Sequence, residues 1–195
     1  MNQDAGSEVL FIGGRAGVGK STTALEVSHL LAAAHVEHAV IEGDNLDLAY
    51  PEPWRRGLGL AEQNLGAMWA NYRRAGYRRL VFTNTVSVVR LDVLTATLGG
   101  DVHATAVLLT ASDRTARARL ATRETGPGLD SHIRRSDDAA RMLEAEAPHR
   151  FIASLPMGAR SPTSRVMSSA SPGGLIAEPR HGRFCDRKCP GILEP

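Results

Sequence analysis

Apolar residues along the chain alternate between short continuous runs and stretches with helical spacing. Val9-Leu10-Phe11-Ile12 is unbroken and ends in Gly13-Gly14, the pattern of a strand buried on both faces. From Lys20 to about Ala34, the residues Val27, Leu30, Leu31 and Ala34 fall at i, i+3, i+4 and i+7, which predicts a helix with one buried face. Ala39-Val40-Ile41 predicts a second strand, running into the acidic turn Glu42-Gly43-Asp44-Asn45. Beyond the breakers Pro51 and Pro53, Leu65, Met68, Trp69 and Tyr72 repeat at helical spacing towards a stop at Gly76. Leu80-Val81-Phe82 is a third strand; Leu91, Leu94 and Leu98 mark a helix closed by Gly99-Gly100; Ala104 to Leu109 is a fourth strand. Ser112 is placed to cap the next helix, Gly126-Pro127-Gly128 is a loop, and Ser136-Asp137-Asp138 opens a last helix through Met142 and Leu143.

Strands alternating with helices imply right-handed crossovers and a parallel sheet covered on both faces, so the fold class is α/β. Four strands are clear, and Phe151-Ile152-Ala153 is the only segment able to supply a fifth. The character changes near residue 151. Six of the ten prolines lie from Pro156 onwards, among Ser161, Ser164, Ser168, Ser169 and Ser171, and no helical or strand period persists. The expected organisation is one domain over 1–150 and a Pro/Ser-rich tail over 151–195, disordered or outside the domain.

Composition narrows this further. The chain is 195 residues with 43% hydrophobic and 23% charged residues, the range of soluble globular domains. No apolar run reaches the roughly 20 residues of a membrane span, and the N-terminal segment lacks the features of a secretory signal. The two cysteines, Cys185 and Cys189, cannot build a disulfide framework, and with His181 they leave a zinc site incomplete. A cytoplasmic protein is expected, with no membrane partner. Of 23 basic residues only Lys20 and Lys188 are lysine, and the arginines are interspersed with acids rather than gathered into a stripe. No nucleic-acid partner is expected.

The placement of Lys20 is informative. Gly14-Arg15-Ala16-Gly17-Val18-Gly19-Lys20-Ser21 fits G-x-x-x-x-G-K-[ST] without a mismatch, after a predicted strand and opening a predicted helix. Glycines bring backbone N–H groups against phosphate oxygens, and the unpaired amides and dipole of the helix start favour an anion. Lys20 is suited to the β and γ phosphates of ATP, the Ser21 hydroxyl to Mg²⁺, and Thr22 to the α phosphate. An incidental glycine turn is the alternative, and the strand-loop-helix context argues against it.

Phosphoryl transfer needs a group on a neighbouring strand tip to orient the acceptor and support the metal. Asp44, 24 positions after Lys20, is the leading candidate for both roles, with Asp47 the second and an ordinary acidic turn the alternative. Glu42 is expected within or beside the strand.

The loop, together with Ile41-Glu42-Gly43-Asp44-Asn45-Leu46, resembles the small-molecule P-loop kinases. Adenylylsulfate kinase and gluconate kinase are most alike in that stretch, and chloramphenicol phosphotransferase is similar in plan. The resemblance covers roughly residues 7–150 in element order. It implies a three-layer P-loop kinase fold with a parallel sheet of four to five strands, γ-phosphoryl transfer from ATP, Asp44 as the acceptor-side carboxylate, and a mobile arginine-bearing lid over about 112–136. Two departures stand out. An arginine that helps adenylylsulfate kinases hold their substrate is replaced by Asp47, which argues against that acceptor. The third strand ends in Thr83-Asn84-Thr85 without a Walker B carboxylate, leaving Ser21, Asp44 and a neutral oxygen of Asn84 for the metal.

In the lid helix, Arg119 and Arg123 are four apart and leave one face together, suited to clamping phosphates, with Arg134 and Arg135 candidates from the far side. A solvated arginine face is the alternative. His35 and His38 are expected to face solvent. Trp54 and Trp69 are expected in core or groove packing, and the pairs Arg55-Arg56, Arg73-Arg74 and Arg78-Arg79 on solvated faces. The expected function is ATP-dependent phosphotransfer to a hydroxyl of a small molecule. The alternatives are a nucleoside or nucleotide kinase, and a non-catalytic nucleotide-binding regulator; no N-K-x-D guanine signature is present.

Overall fold

The computed structural model describes residues 6–123, 126 and 128–147 and the strand at 152–154. Its strands are β1 (Ser7–Gly13), β2 (Ala39–Glu42), β3 (Arg79–Thr83), β4 (Val102–Thr110) and β5 (Ile152–Ser154). The helices are α1 (Lys20–Ala33), α2 (Leu60–Arg74), α3 (Leu91–Leu98), α4 (Asp113–Arg123) and α5 (Leu129–Glu146), with single 3₁₀ turns at Gly43–Asn45 and Pro53–Arg56. All strand pairs are parallel and the sheet order is β2-β3-β1-β4-β5. The connection from β1 runs towards the β2 edge and that from β3 towards β4. Such a reversal opens a crevice at the carboxyl ends of the strands, where ligands bind in open α/β sheets.

Side-chain alternation divides the core in two. Val9, Phe11, Ala39, Ile41, Leu80, Phe82, Ala106 and Leu108 point to one face, where Leu65 and Trp69 of α2, Leu94 and Leu98 of α3 and Leu143 of α5 cover them. Ile12, Val81 and Leu109 point to the other, against Val18 and Ala24 with Val27 and Leu31 of α1. Phe11 and Phe82 meet edge to face at 5.8 Å, and fully burying side chains of this size contributes roughly 2–3 kcal/mol each.

Several expectations change. The face of α1 is narrower than its spacing implies: Val27 and Leu31 pack on the core, whereas Leu30 is 59% exposed and Ala34 is exposed. The last helix begins at Leu129, so Ser136, Asp137 and Asp138 lie inside α5 and not at its start. Ser112 does cap α4, accepting from the Thr115 N–H at 3.3 Å. His38 is half-buried, paired through Nε2 with Ser28 Oγ at 2.7 Å and through Nδ1 with the Val36 carbonyl at 2.8 Å. Arg73 and Arg78 are also half-buried, donating to the carbonyls of Gly99 and of Arg73 and Tyr77. Trp69 is buried in the core and Trp54, though 55% exposed, lines a groove, both as expected. Backbone pairing of β5 with β4 adds the fifth strand just past residue 150. His181, Cys185, Cys189, the rest of the Pro/Ser-rich tail, Glu124 and Pro127 lie outside the described residues. Among the described residues, no helix is long and apolar enough to cross a membrane.

Candidate active site

The loop between β1 and α1 is shaped by glycine. At Gly17, φ is +80°, and a Cβ would stand 2.6 Å from the carbonyl oxygen of Ala116 in α4, so both conformation and space exclude a side chain. Gly14 and Gly19 also have positive φ. Gly19 precedes α1 without any side-chain cap, and no acid occupies the first turn. The helix therefore presents unpaired amides at its start, an arrangement that favours an anion. Val18 is fully buried in the core, while the Ser21 and Thr22 side chains are exposed at the rim.

Lys20 folds back over the loop. Its Nζ donates to the Gly14 carbonyl at 3.0 Å and to Thr85 Oγ1 at 3.5 Å, and lies 4.0 Å from Asp44 Oδ2. The side chain is only 8% exposed. Burial pushes the ammonium below its usual pKa, Asp44 and Glu42 oppose that shift, and Arg123 adds to it. A nearby polyphosphate would supply the compensating negative charge.

The β2 tip brings two carboxylates to this point. Gly43 packs so tightly under β3 that an added Cβ would lie 2.6 Å from the Thr83 carbonyl oxygen. The 3₁₀ turn that follows carries Asp44 outwards beside Lys20. Asn84 Nδ2 donates to Asp44 Oδ1 at 3.3 Å. The Asn84 oxygen accepts from the Val86 N–H at 2.9 Å, which holds the side chain in this orientation. Glu42, at the end of β2, also faces the loop. Its Oε2 accepts from Ser21 Oγ at 3.2 Å and from Thr83 Oγ1 at 2.8 Å, standing beside the motif hydroxyl where β3 supplies no acid. Among the described residues there is no cluster of three or more His, Cys, Asp or Glu fit to hold a metal ion. Ser21 with Glu42 or Asp44 is the kind of sparse oxygen set that Mg²⁺ uses when phosphate oxygens and water complete its shell.

Arginines close the other side. Arg119 donates to the carbonyls of Val18 at 2.9 Å and Gly17 at 3.4 Å, docking α4 on the loop. Arg123, one turn on, is exposed and close enough to Lys20 to lower its pKa. Arg134 and Arg135 are exposed on α5, with no contact to the loop among the described residues.

The Arg15 side chain is a buried anchor. It is 4% exposed, donates to Ser136 Oγ at 3.0 Å, and pairs with Asp113 and Asp137. Ser136 Oγ in turn donates to the Ala16 carbonyl at 3.0 Å, and Asp137 accepts from Arg117 at 2.6 Å. The sequence signal for this network is the adjacent polar pair Ser136 and Asp137; Asp138 pairs instead with Arg141.

A cavity of about 390 Å³ opens on the other side of Asn84, lined by Gly43, Leu46, Asp47, Trp54 and Phe82 among others. Of its lining residues, Asn84 is the one that hydrogen-bonds Asp44.

No protein-family model matches the sequence, and no curated protein does. Solved structures do. One from a Silicibacter species, assigned as a fructose transport system kinase, aligns over 80% of this chain and 93% of its own, with a TM-score of 0.51 and 16% identity. A Thermus thermophilus protein aligns over 79% and 91%, with a TM-score of 0.50 and 12% identity. A gluconokinase from Sinorhizobium meliloti aligns over 80% and 85%, with a TM-score of 0.47 and 20% identity. At such identities the likeness is one of fold: the chain has the α/β P-loop kinase fold with a parallel sheet.

Proposed function

We propose that this protein is an ATP-dependent phosphotransferase that moves the γ-phosphoryl group to a hydroxyl of a small molecule in the cytoplasm. The observation that carries the reading is one unbroken line of groups. Lys20 at the phosphate loop lies 4.0 Å from Asp44, Asp44 accepts from Asn84, and Asn84 lines the cavity. This chain of contacts supports a reading in which Asp44 stands between a donor site at the loop and an acceptor site in the cavity.

The residues present suit the nucleotide. The amides at the start of α1, free of a side-chain cap, and the Lys20 ammonium are suited to hold the β and γ phosphates. Ser21, with Asp44 or Glu42, would hold Mg²⁺, which when bound neutralises charge on the phosphates. In the transfer, the acceptor oxygen forms a bond to the γ phosphorus while the bond from that phosphorus to the β–γ bridging oxygen breaks. The acceptor proton passes to Asp44, leaving a phosphate ester and ADP. Arg123 would stabilise charge around the transferring group, a reading its electrostatic effect on Lys20 supports, and Arg119 would keep the loop in shape. Positioning and electrostatics supply most of the catalysis in such reactions.

The test is direct. With Mg²⁺ and ATP, the protein should form ADP in the presence of some member of a panel of hydroxylated metabolites, nucleosides and antibiotics, first ranked by thermal shift with a nonhydrolysable ATP analogue. The Asp44→Asn variant should bind the analogue and fail to transfer. Normal turnover by that variant would remove Asp44 from the mechanism, and transfer only to nucleosides would redefine the enzyme as a nucleoside kinase.

A further inference from the structure

Resting on the phosphotransfer reading, we infer that the acceptor is a hydroxyl compound with an apolar face and a protonated amine, and not one bearing a carboxylate or phosphate. The cavity wall carries Leu46, Leu60, Leu65, Phe82 and Leu94, with Trp54 half-exposed at its rim. A space of about 390 Å³ lies within the usual range for a small organic ligand. A purely polar acceptor would leave these walls unsatisfied.

Charge decides the rest. The charged lining residues are Asp47, Glu62 and Arg90. Arg90 is already paired with Glu62 at 3.1 Å, so those two offset each other. Asp47 remains: it is half-buried and, among the described residues, has neither ion-pair nor hydrogen-bond partner. A partly desolvated carboxylate is costly unless a cation or donor meets it. An anionic ligand in the cavity would face the Asp47 carboxylate with no uncommitted cation in the lining to oppose it. Arg55 and Arg56 are outside the lining and exposed, and Arg55 lies 3.7 Å from Glu52. The remaining cations, Lys20, Arg119 and Arg123, are grouped at the phosphate loop. The site therefore separates its charges: positive around the donor, negative around the acceptor.

The experiment uses the full chain and two stages, so the two readings fail separately. Calorimetry with a nonhydrolysable ATP analogue and Mg²⁺ comes first, and absence of heat would overturn the phosphotransfer reading itself. Matched sets on shared scaffolds follow, for example phenylglycinol, 1-phenylethane-1,2-diol and mandelic acid, with larger bicyclic sets built the same way. Binding is read by thermal shift in the presence of the analogue. The amine member of a set should bind on the order of tenfold more tightly than the neutral one, and the carboxylate member should not bind. Asp47→Asn should abolish the amine preference while leaving binding of nucleotide and of the neutral member unchanged; Asp47→Glu should retain the preference. Carboxylate members binding as well as amines, sets in which no member binds, or an amine preference that survives Asp47→Asn would each overturn the proposal. Loss of transfer to every acceptor in Asp47→Asn would also overturn it, by making Asp47 the acceptor-side base.

Discussion

Arg15 donates to Asp137 across a chain separation of 122 residues, so the phosphate loop is pinned to the middle of α5 by a buried guanidinium. The same side chain reaches Asp113 at the start of α4 and Ser136, so one residue fixes the loop against both helices of the expected lid. Removing it leaves a void beside Ser136 and the largely buried Asp137, which keeps only Arg117, while the exposed Asp113 turns to solvent. Arg15→Ala should lower unfolding stability by on the order of 3 kcal/mol, and Arg15→Lys should recover only part of that, since a point charge cannot span three acceptors. Chemical denaturation measures both. Arg117 chiefly, and then Arg15, hold the Asp137 carboxyl below its usual range. The stability from this carboxylate is therefore present above the ordinary carboxylate range and lost as pH falls through the depressed value. Asp137→Asn, which has no proton to take up, should show a flatter acid limb.

Lys20 presents the opposite case, a charge held in place against its own burial. Its pKa is lowered from 10.5, first by desolvation, so between the depressed value and 10.5 the unfolded chain holds a proton that the folded protein has released. Stability rises with pH across that window. Lys20→Met should raise the stability of the nucleotide-free protein by about 1 kcal/mol at neutral pH, and the gap should narrow as pH climbs towards 10.5. The same variant should show no heat with ATP. An unchanged or lower melting temperature in the variant would mean that the bond to the Gly14 carbonyl outweighs desolvation.

The two carboxylates at the β2 tip should separate by assay. Glu42 bonds Ser21 and Thr83, whereas Asp44 faces Lys20 and Asn84. Glu42→Gln should raise the Mg²⁺ concentration needed for half-maximal turnover while leaving much of the maximal rate. Asp44→Asn should lower kcat by on the order of a hundredfold or more at saturating Mg²⁺ with nucleotide affinity retained. A titration of turnover against Mg²⁺ distinguishes them.

Gly17 is set by its neighbour in α4. A methyl group there would meet the Ala116 carbonyl oxygen at 2.6 Å, in a backbone conformation that L residues rarely adopt. Gly17→Ala should cost on the order of 2 kcal/mol and weaken nucleotide binding with it, since relief comes only by moving the loop or α4. Gly57, at φ +63° with nothing within 4 Å, is the control: Gly57→Ala carries the backbone strain alone and should cost less.

What sequence revealed of this site follows how local the determinants are. The strand-loop-helix unit around Lys20 is legible because eight consecutive residues dictate their own conformation, and the faces of the sheet follow from alternation in β1, β3 and β4. Asp44 is legible from its distance to the end of β2. Glu42, as a strand-end residue, looks structural until the Ser21 hydroxyl, 21 positions earlier, is seen against it. Ser136-Asp137-Asp138 reads as a helix start because those residues favour caps; in the helix interior, Ser136 and Asp137 meet Arg15 and the Ala16 carbonyl, while Asp138 pairs with Arg141. The cavity draws its lining from β3, the 3₁₀ turns and the helices α2 and α3, and no spacing rule joins segments so far apart.

Arg119 and Arg123 leave the same face of α4 but have different tasks. Arg119 spends its guanidinium on two loop carbonyls, so its charge is committed before any nucleotide arrives. Arg123 makes no hydrogen bond among the described residues and acts on Lys20 through space, lowering its pKa. That repulsion is unfavourable in the empty site and vanishes when negative charge lies between the two, as developing charge on a transferring phosphoryl group would. Arg123→Ala should therefore leave the stability of the nucleotide-free protein unchanged or slightly raised, and lower kcat by at least about tenfold with little change in ATP affinity. Arg119→Ala should instead lower the melting temperature and weaken ATP binding, because the loop loses its contact with α4. Stopped-flow turnover and calorimetry on the two variants, run side by side, would show the split; equal losses in both would mean that the pair acts as one clamp.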